Sequence, residues 1–104
     1  MKYSIVLTTC ESTDDAKIII DTLLKRKLAA CIQTQAIESF YTWKGKIEQA
    51  KEVLLFIKTR KELYNDIEIA IKSVHKYETP EILEVAADNG LSEYLHWIDD
   101  VTEA

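Results

Sequence analysis

One hundred and four residues with no Gly-, Pro- or Ser-rich divider amount to a single domain over 1–104, and 47% hydrophobic against 30% charged residues exclude a disordered chain. A formal charge of -5 leaves no basic footprint, which excludes nucleic acid as a partner and makes cations the natural small ones. No apolar run approaches the roughly 20 residues that a bilayer span needs, and the run after Met1-Lys2 is too short for a signal peptide, so a cytoplasmic protein with no membrane partner is expected.

Tyr3-Ser4-Ile5-Val6-Leu7-Thr8-Thr9 is a short β-rich run and reads as a central strand. Ser12 and Asp15 then have capping-box spacing, with Asp for the usual Glu, and Glu11, Asp14 and Asp15 place negative charge where a helix dipole favours it. Ala16, Ile19, Ile20, Leu23 and Leu24 form one apolar stripe that Lys25, Arg26 and Lys27 close, which predicts the first helix. From Ala29 to Thr42 the chain is rich in β-branched and aromatic residues, turns at Trp43-Lys44-Gly45-Lys46 and returns from Ile47 to Lys58 as a long hairpin. Thr59 and Glu62 repeat the capping-box spacing, and Leu63, Ile67, Ala70, Ile71 and Val74 mark the buried face of a second helix ending near His75. Past Pro80, the only proline, Ile82–Ala87 reads as a fourth strand, and after the Asn89-Gly90 turn Leu91, Tyr94, Leu95, Ile98 and Val101 predict a short C-terminal helix.

The order is βαββαβ with an added C-terminal helix, an α+β, ferredoxin-like antiparallel sheet with its two main helices on one face. Ile5-Val6-Leu7 and Val53-Leu54-Leu55-Phe56-Ile57 are apolar at consecutive positions, so they point to both faces of that sheet. At about 25 cal/mol per Å², a wet second face of several hundred Å² forgoes several kcal/mol, which points to self-association. The hairpin arms, about twice the usual strand length, project past the other strands and carry Tyr41 and Trp43 toward a neighbouring subunit.

His75-Lys76-Tyr77-Glu78-Thr79-Pro80-Glu81-Ile82 concentrates an imidazole, a phenol and carboxylates in a stiffened turn, and this is the candidate site. Leu28-Ala29-Ala30-Cys31, then Ser39-x-Tyr41-x-Trp43-x-Gly45, then Phe56-x-Lys58-Thr59, and finally His75-x-Tyr77-Glu78-x-Pro80-x-Ile82, in this order and spacing over nearly the whole chain, resemble CutA, the divalent-cation tolerance family. The resemblance implies a cytoplasmic homotrimer of ferredoxin-like subunits, with sheets facing inward in a manner similar to PII signalling proteins. It also implies tolerance to copper and other divalent cations, and a metal cleft between subunits lined by Cys31, Trp43, Lys58, His75, Tyr77 and Glu78. Cys31, His75 and Glu78 are the expected ligands in that cleft. Two departures stand out: Lys76 where a proline is frequent, adding positive charge beside the cation site, and Gln33 where an asparagine is frequent.

Each residue also has a plainer role. A thiolate at Cys31 and an imidazole at His75 suit copper or zinc, yet a free Cys is usually a small buried hydrophobe and a His can simply meet a helix dipole. Tyr77 can close the turn by hydrogen bonding, Glu78 and Glu81 can be solvated charges, and Trp43 can anchor an interface. Lys58 can take an anion or extend its ammonium to water, and Cys10 can be a structural thiol or one activated at a helix N-terminus. The alternative to a metal protein is a PII-like signalling or scaffold trimer that takes a small anion through Lys58, His75 and Tyr77. No third residue or oxyanion site joins Cys31 and His75, so no enzyme is expected. RNA-binding domains of this topology need glycine and aromatics in an RNP1-type strand, which Glu52-Val53-Leu54-Leu55-Phe56-Ile57-Lys58 lacks, and a copper chaperone needs a C-x-x-C pair where only Cys10 stands. Cys10 and Cys31 therefore read as two free thiols of a reducing compartment.

Overall fold

A computed structural model describes residues 2–102. The domain expected over 1–104 includes Met1, Glu103 and Ala104, which lie outside the described residues. Four strands, β1 (Tyr3–Cys10), β2 (Cys31–Trp43), β3 (Lys46–Arg60) and β4 (Ile82–Ala86), and three helices, α1 (Thr13–Lys25), α2 (Tyr64–Val74) and α3 (Ser92–Val101), follow one another in the expected order. The strands form one antiparallel sheet in the order β2-β3-β1-β4, so the α+β, ferredoxin-like reading holds.

Local chemistry accounts for most boundaries. Ser12 Oγ accepts the Asp15 N–H at 3.1 Å, the capping bond that its spacing predicts. At the other end of α1, Lys27 takes φ 57°, while Leu28 N–H reaches Leu23 O at 2.9 Å and Lys27 N–H reaches Leu24 O at 3.1 Å. That is a Schellman closure with lysine in the left-handed position usually given to glycine. The hairpin turns on Lys44 (φ 51°) and Gly45 (φ 77°), two successive positive-φ residues of the kind that match the twist of paired strands.

The second helix starts differently from expectation. Thr59 is not a cap: β3 continues through Arg60 because Thr59 pairs with Ser4 and Arg60 with Tyr3. The Thr59 hydroxyl instead donates to Leu28 O at 2.6 Å in the core. A 3-10 turn over Lys61–Leu63 then leads into α2 without a side-chain cap.

Alternation along the strands divides the sheet into two faces. Val6, Leu55 and Ile57 on one face are fully buried beneath α1 and α2, against Ile19, Leu23, Ile67, Ala70 and Ile71. Leu24, assigned by its spacing to the same stripe, is exposed. The register places Ile5, Leu7, Leu54, Phe56, Leu83 and Val85 together on the opposite face, where Leu83 remains 55% and Val85 48% exposed. The third helix stands at one end of that face: Tyr3 O–H donates to Asp99 at 2.8 Å and Arg60 Nε to Thr102 Oγ1 at 2.8 Å. Of its predicted apolar stripe only Ile98 is buried, while Leu91, Tyr94 and Val101 are exposed.

The last β1–β3 pair is Cys10 with Val53, and beyond it Ile37–Trp43 and Lys46–Glu52 pair only with each other. At about 3.3 Å per residue this arm projects roughly 23 Å, which explains a long axis of 45 Å against 26 and 21 Å for the other two.

Candidate functional site

The 75–80 turn is held where α2 ends against the last residues of β1. His75 is the C-cap of α2, its N–H bonded to Ile71 O at 2.9 Å. Its Nε2 lies 2.7 Å from Thr9 O, and its Nδ1 accepts the Tyr77 N–H at 3.1 Å. A carbonyl can only accept, so Nε2 carries the ring proton and Nδ1 is the bare nitrogen. Both ring nitrogens are therefore engaged within the chain. The ring also packs on Tyr77, with centroids 4.8 Å apart.

Tyr77 O–H donates to Glu52 at 2.7 Å, tying the turn to the base of the projecting hairpin. Burial, then the Glu52 carboxylate that accepts its proton, hold the Tyr77 hydroxyl in its protonated form far into the alkaline range. Lys76 turns the other way and pairs with Asp15 at 3.1 Å. The departure at Lys76 thus brings a positive charge whose counterion is already in place. The Lys76 ammonium holds the Asp15 carboxyl below the usual carboxylate range, and Asp15 in turn raises Lys76.

Cys10 sits beneath this arrangement, 1% exposed, with its Sγ 3.5 Å from Ser12 O. Burial pushes its thiol up, the reverse of an activated thiolate, so the structural role is the one it plays. Beside the turn, a cleft of about 440 Å³ opens where the hairpin leaves the sheet, and Glu11, Glu38 and Glu52 contribute carboxylates to its wall.

The remaining sequence-predicted residues lie elsewhere on the chain. Cys31 is half-buried at the start of β2 and pairs in register with Lys58, whose ammonium donates to Gln33 Oε1. Thr9, which holds His75, pairs with Leu54, four residues along β3 from Lys58, about 13 Å at strand spacing. Trp43 pairs with Lys46 at the hairpin tip, twelve residues along β3 from Lys58 and about 40 Å away. The residue is 58% exposed, with Lys44 Nζ 5.9 Å from the ring centroid. Glu78 is exposed in the turn.

A single chain therefore joins His75 to Tyr77 but brings neither Cys31 nor Trp43 to them. Among the described residues no group of three or more His, Cys, Asp or Glu side chains is arranged to hold a metal ion. Cys31 and His75 of one chain are too far apart to meet at a single ion, and a cation at His75 would displace either the Thr9 carbonyl or the Tyr77 N–H. Glu52 and Thr9 are the site residues that sequence reasoning missed. Nothing local to either one signals a partner in the 75–80 turn, because pairing of β1 with β3 brings them there.

Comparison with known proteins places this geometry. The family model of the CutA1 divalent ion tolerance protein matches residues 4–101. The divalent-cation tolerance protein CutA of Archaeoglobus fulgidus is 39% identical over 101 residues, 97% of this chain and 99% of that one. Its solved structure, described as a periplasmic divalent cation tolerance protein, superposes with a TM-score of 0.95 over the same shares of the two chains. The CutA1 structure from Oryza sativa, 32% identical over 99% of this chain and 95% of that one, also gives a TM-score of 0.95. No helix among the described residues is long and apolar enough to cross a membrane. With the match running from the first strand to the last helix, this chain belongs to the CutA1 divalent ion tolerance protein family.

Proposed function

We propose that the chain works as a homotrimer that takes up divalent cations, copper foremost, in clefts between its subunits, in the cytoplasm and without catalysing a reaction. Membership in a divalent-cation tolerance family supports the ligand class. One spatial observation carries the rest. Trp43 and Lys58 stand at opposite ends of the hairpin, so these residues and His75 can line one cleft only if different copies supply them. The apolar open face of the sheet supplies the reason for copies to assemble.

The donor set is consistent with the cargo. A thiolate from Cys31, an imidazole from His75 and a carboxylate from Glu78 suit copper or zinc, and Trp43, Lys58 and Tyr77 complete the walls. The net charge of -5 and the carboxylates of Glu11, Glu38 and Glu52 beside the turn raise the local cation concentration. Two free thiols accord with a reducing compartment. The non-catalytic reading rests on the relatives' description as tolerance proteins and on the separation of Cys31 from the imidazole that would have to activate it.

Titration of the assembled protein with Cu and Zn tests the site. The parent binds saturably, and Cys31→Ala and His75→Ala each weaken binding by about tenfold or more, the scale of losing one ligand or its support. Two variants that bind as tightly as the parent would move the metal away from this cleft.

A further inference from the structure

Between β4 and α3 the chain runs through Asp88-Asn89-Gly90-Leu91, all four exposed and outside any regular element. Both ends of this connection are fixed: Ala87 N–H is bonded to Tyr3 O at 3.0 Å, and Leu91 O accepts the Leu95 N–H at 3.0 Å in the first turn of α3. Gly90 N–H, by contrast, meets no backbone carbonyl among the described residues. Packing imposes the glycine, since a Cβ there would stand 3.0 Å from Leu95 Cδ2. Asn89 is thus followed by a residue with no side chain to shield its amide nitrogen, on a segment that neither a ladder nor a helix holds away from the attacking geometry.

We propose that Asn89 is a self-modification site, at which the chain deamidates and isomerises, and that the isoaspartate formed there loosens α3 from the sheet. Solvent hydroxide takes the Gly90 amide proton, and the nitrogen attacks Asn89 Cγ to close a five-membered succinimide. The side-chain nitrogen leaves as ammonia with a proton from water. A second water then opens the ring at either carbonyl, giving aspartate or isoaspartate, so that one water is consumed and one ammonia released overall. Isoaspartate carries the main chain through its side-chain carbon and so adds one methylene between the two fixed ends. The helix that must shift has few anchors: buried Ile98, the Tyr3 O–H on Asp99 at 2.8 Å and Arg60 Nε on Thr102 Oγ1 at 2.8 Å. Aspartate adds only a negative charge, ahead of the α3 N-terminus where the helix dipole favours it.

The one other asparagine, Asn65, is an internal control: it lies in the first turn of α2 and is followed by Asp66. The full chain is incubated in mildly alkaline buffer, its tryptic peptides are weighed against an unincubated sample, and isoaspartate is labelled with an isoaspartyl methyltransferase. The peptide after Lys76 holds Asn89 and the peptide after Lys61 holds Asn65, so the two sites are read separately. Asn89 converts about tenfold or more faster than Asn65, whose helical turn must first open. Asn89→Gln keeps the amide but offers only a six-membered closure, and it abolishes the label. The aged product, isolated by its added charge, melts several degrees below freshly made Asn89→Asp, which has the charge without the methylene. Equal conversion at the two asparagines, or a label that survives Asn89→Gln, overturns the site. An aged product that melts with fresh Asn89→Asp overturns the loosening of α3.

Discussion

Thr59 is fully buried, and its hydroxyl donates to Leu28 O at 2.6 Å, fastening the loop after α1 to the end of β3. Valine has nearly the same shape but no proton to donate. Thr59→Val would leave a buried carbonyl without its partner, and the expected loss of stability is about 2 kcal/mol in denaturant unfolding at fixed protein concentration. Thr59→Ser keeps the donor and gives up one methyl group, about 0.8 kcal/mol. Equal stability of the valine variant and the parent would remove Thr59 from the fastening of this loop. The sequence suggests a helix cap here because Thr59 and Glu62 are three apart, a pattern that capping boxes share with chance. Pairing with Ser4 overrides it, and that pairing is invisible to any local window.

Between elements, the contact most exposed to conditions is the Lys76–Asp15 pair, which joins the start of α1 to the 75–80 turn at 3.1 Å. Asp15 has a folded-state carboxyl held below its ordinary range by Lys76, so its contribution to stability is complete above the unfolded pKa of about 4 and fades as pH falls through the lower folded value. Lys76 has the opposite sign: raised by Asp15, it contributes below its unfolded pKa and loses that contribution as pH rises through the folded one. Asp15→Asn leaves the capping bond, which uses the Asp15 backbone N–H. Its melting midpoint should fall below the parent's near neutral pH, and the gap should close as pH drops below about 4. A gap independent of pH would show that the pair does not tie the turn to the helix. The elements it joins were legible in the sequence because strands, capping spacing and the Lys44-Gly45 turn are local patterns. The contacts that assemble the site were not, since His75 meets Thr9 across 66 residues and Tyr77 meets Glu52 across 25.

At the scale of the molecule, the consecutive apolar residues of β1 and β3 already implied two buried faces, and one chain covers only one of them. Two helices lie over Val6, Leu55 and Ile57, while Leu83 and Val85 on the other face stay half exposed beside Ile5, Leu7 and Phe56. Covering the half of Leu83 that is still exposed contributes about 1 kcal/mol, and a closed symmetric assembly repeats that gain in every copy. Leu83→Asp puts a charge into this patch, on the edge strand β4 beside Leu7. By light scattering at micromolar concentration the parent should have the mass of three chains and the variant that of one, with its far-ultraviolet circular dichroism intact because no core residue has changed. Ile69→Asp is the matched control: Ile69 is even more exposed, at 64%, but lies on α2, whose neighbours Ile67, Ala70 and Ile71 are the ones buried against the sheet. The mass of that variant should equal the parent's. If charge at Leu83 leaves the assembly whole, or if charge at Ile69 breaks it, the copies meet through their helices, and the inter-subunit cleft proposed for the cation loses its physical basis.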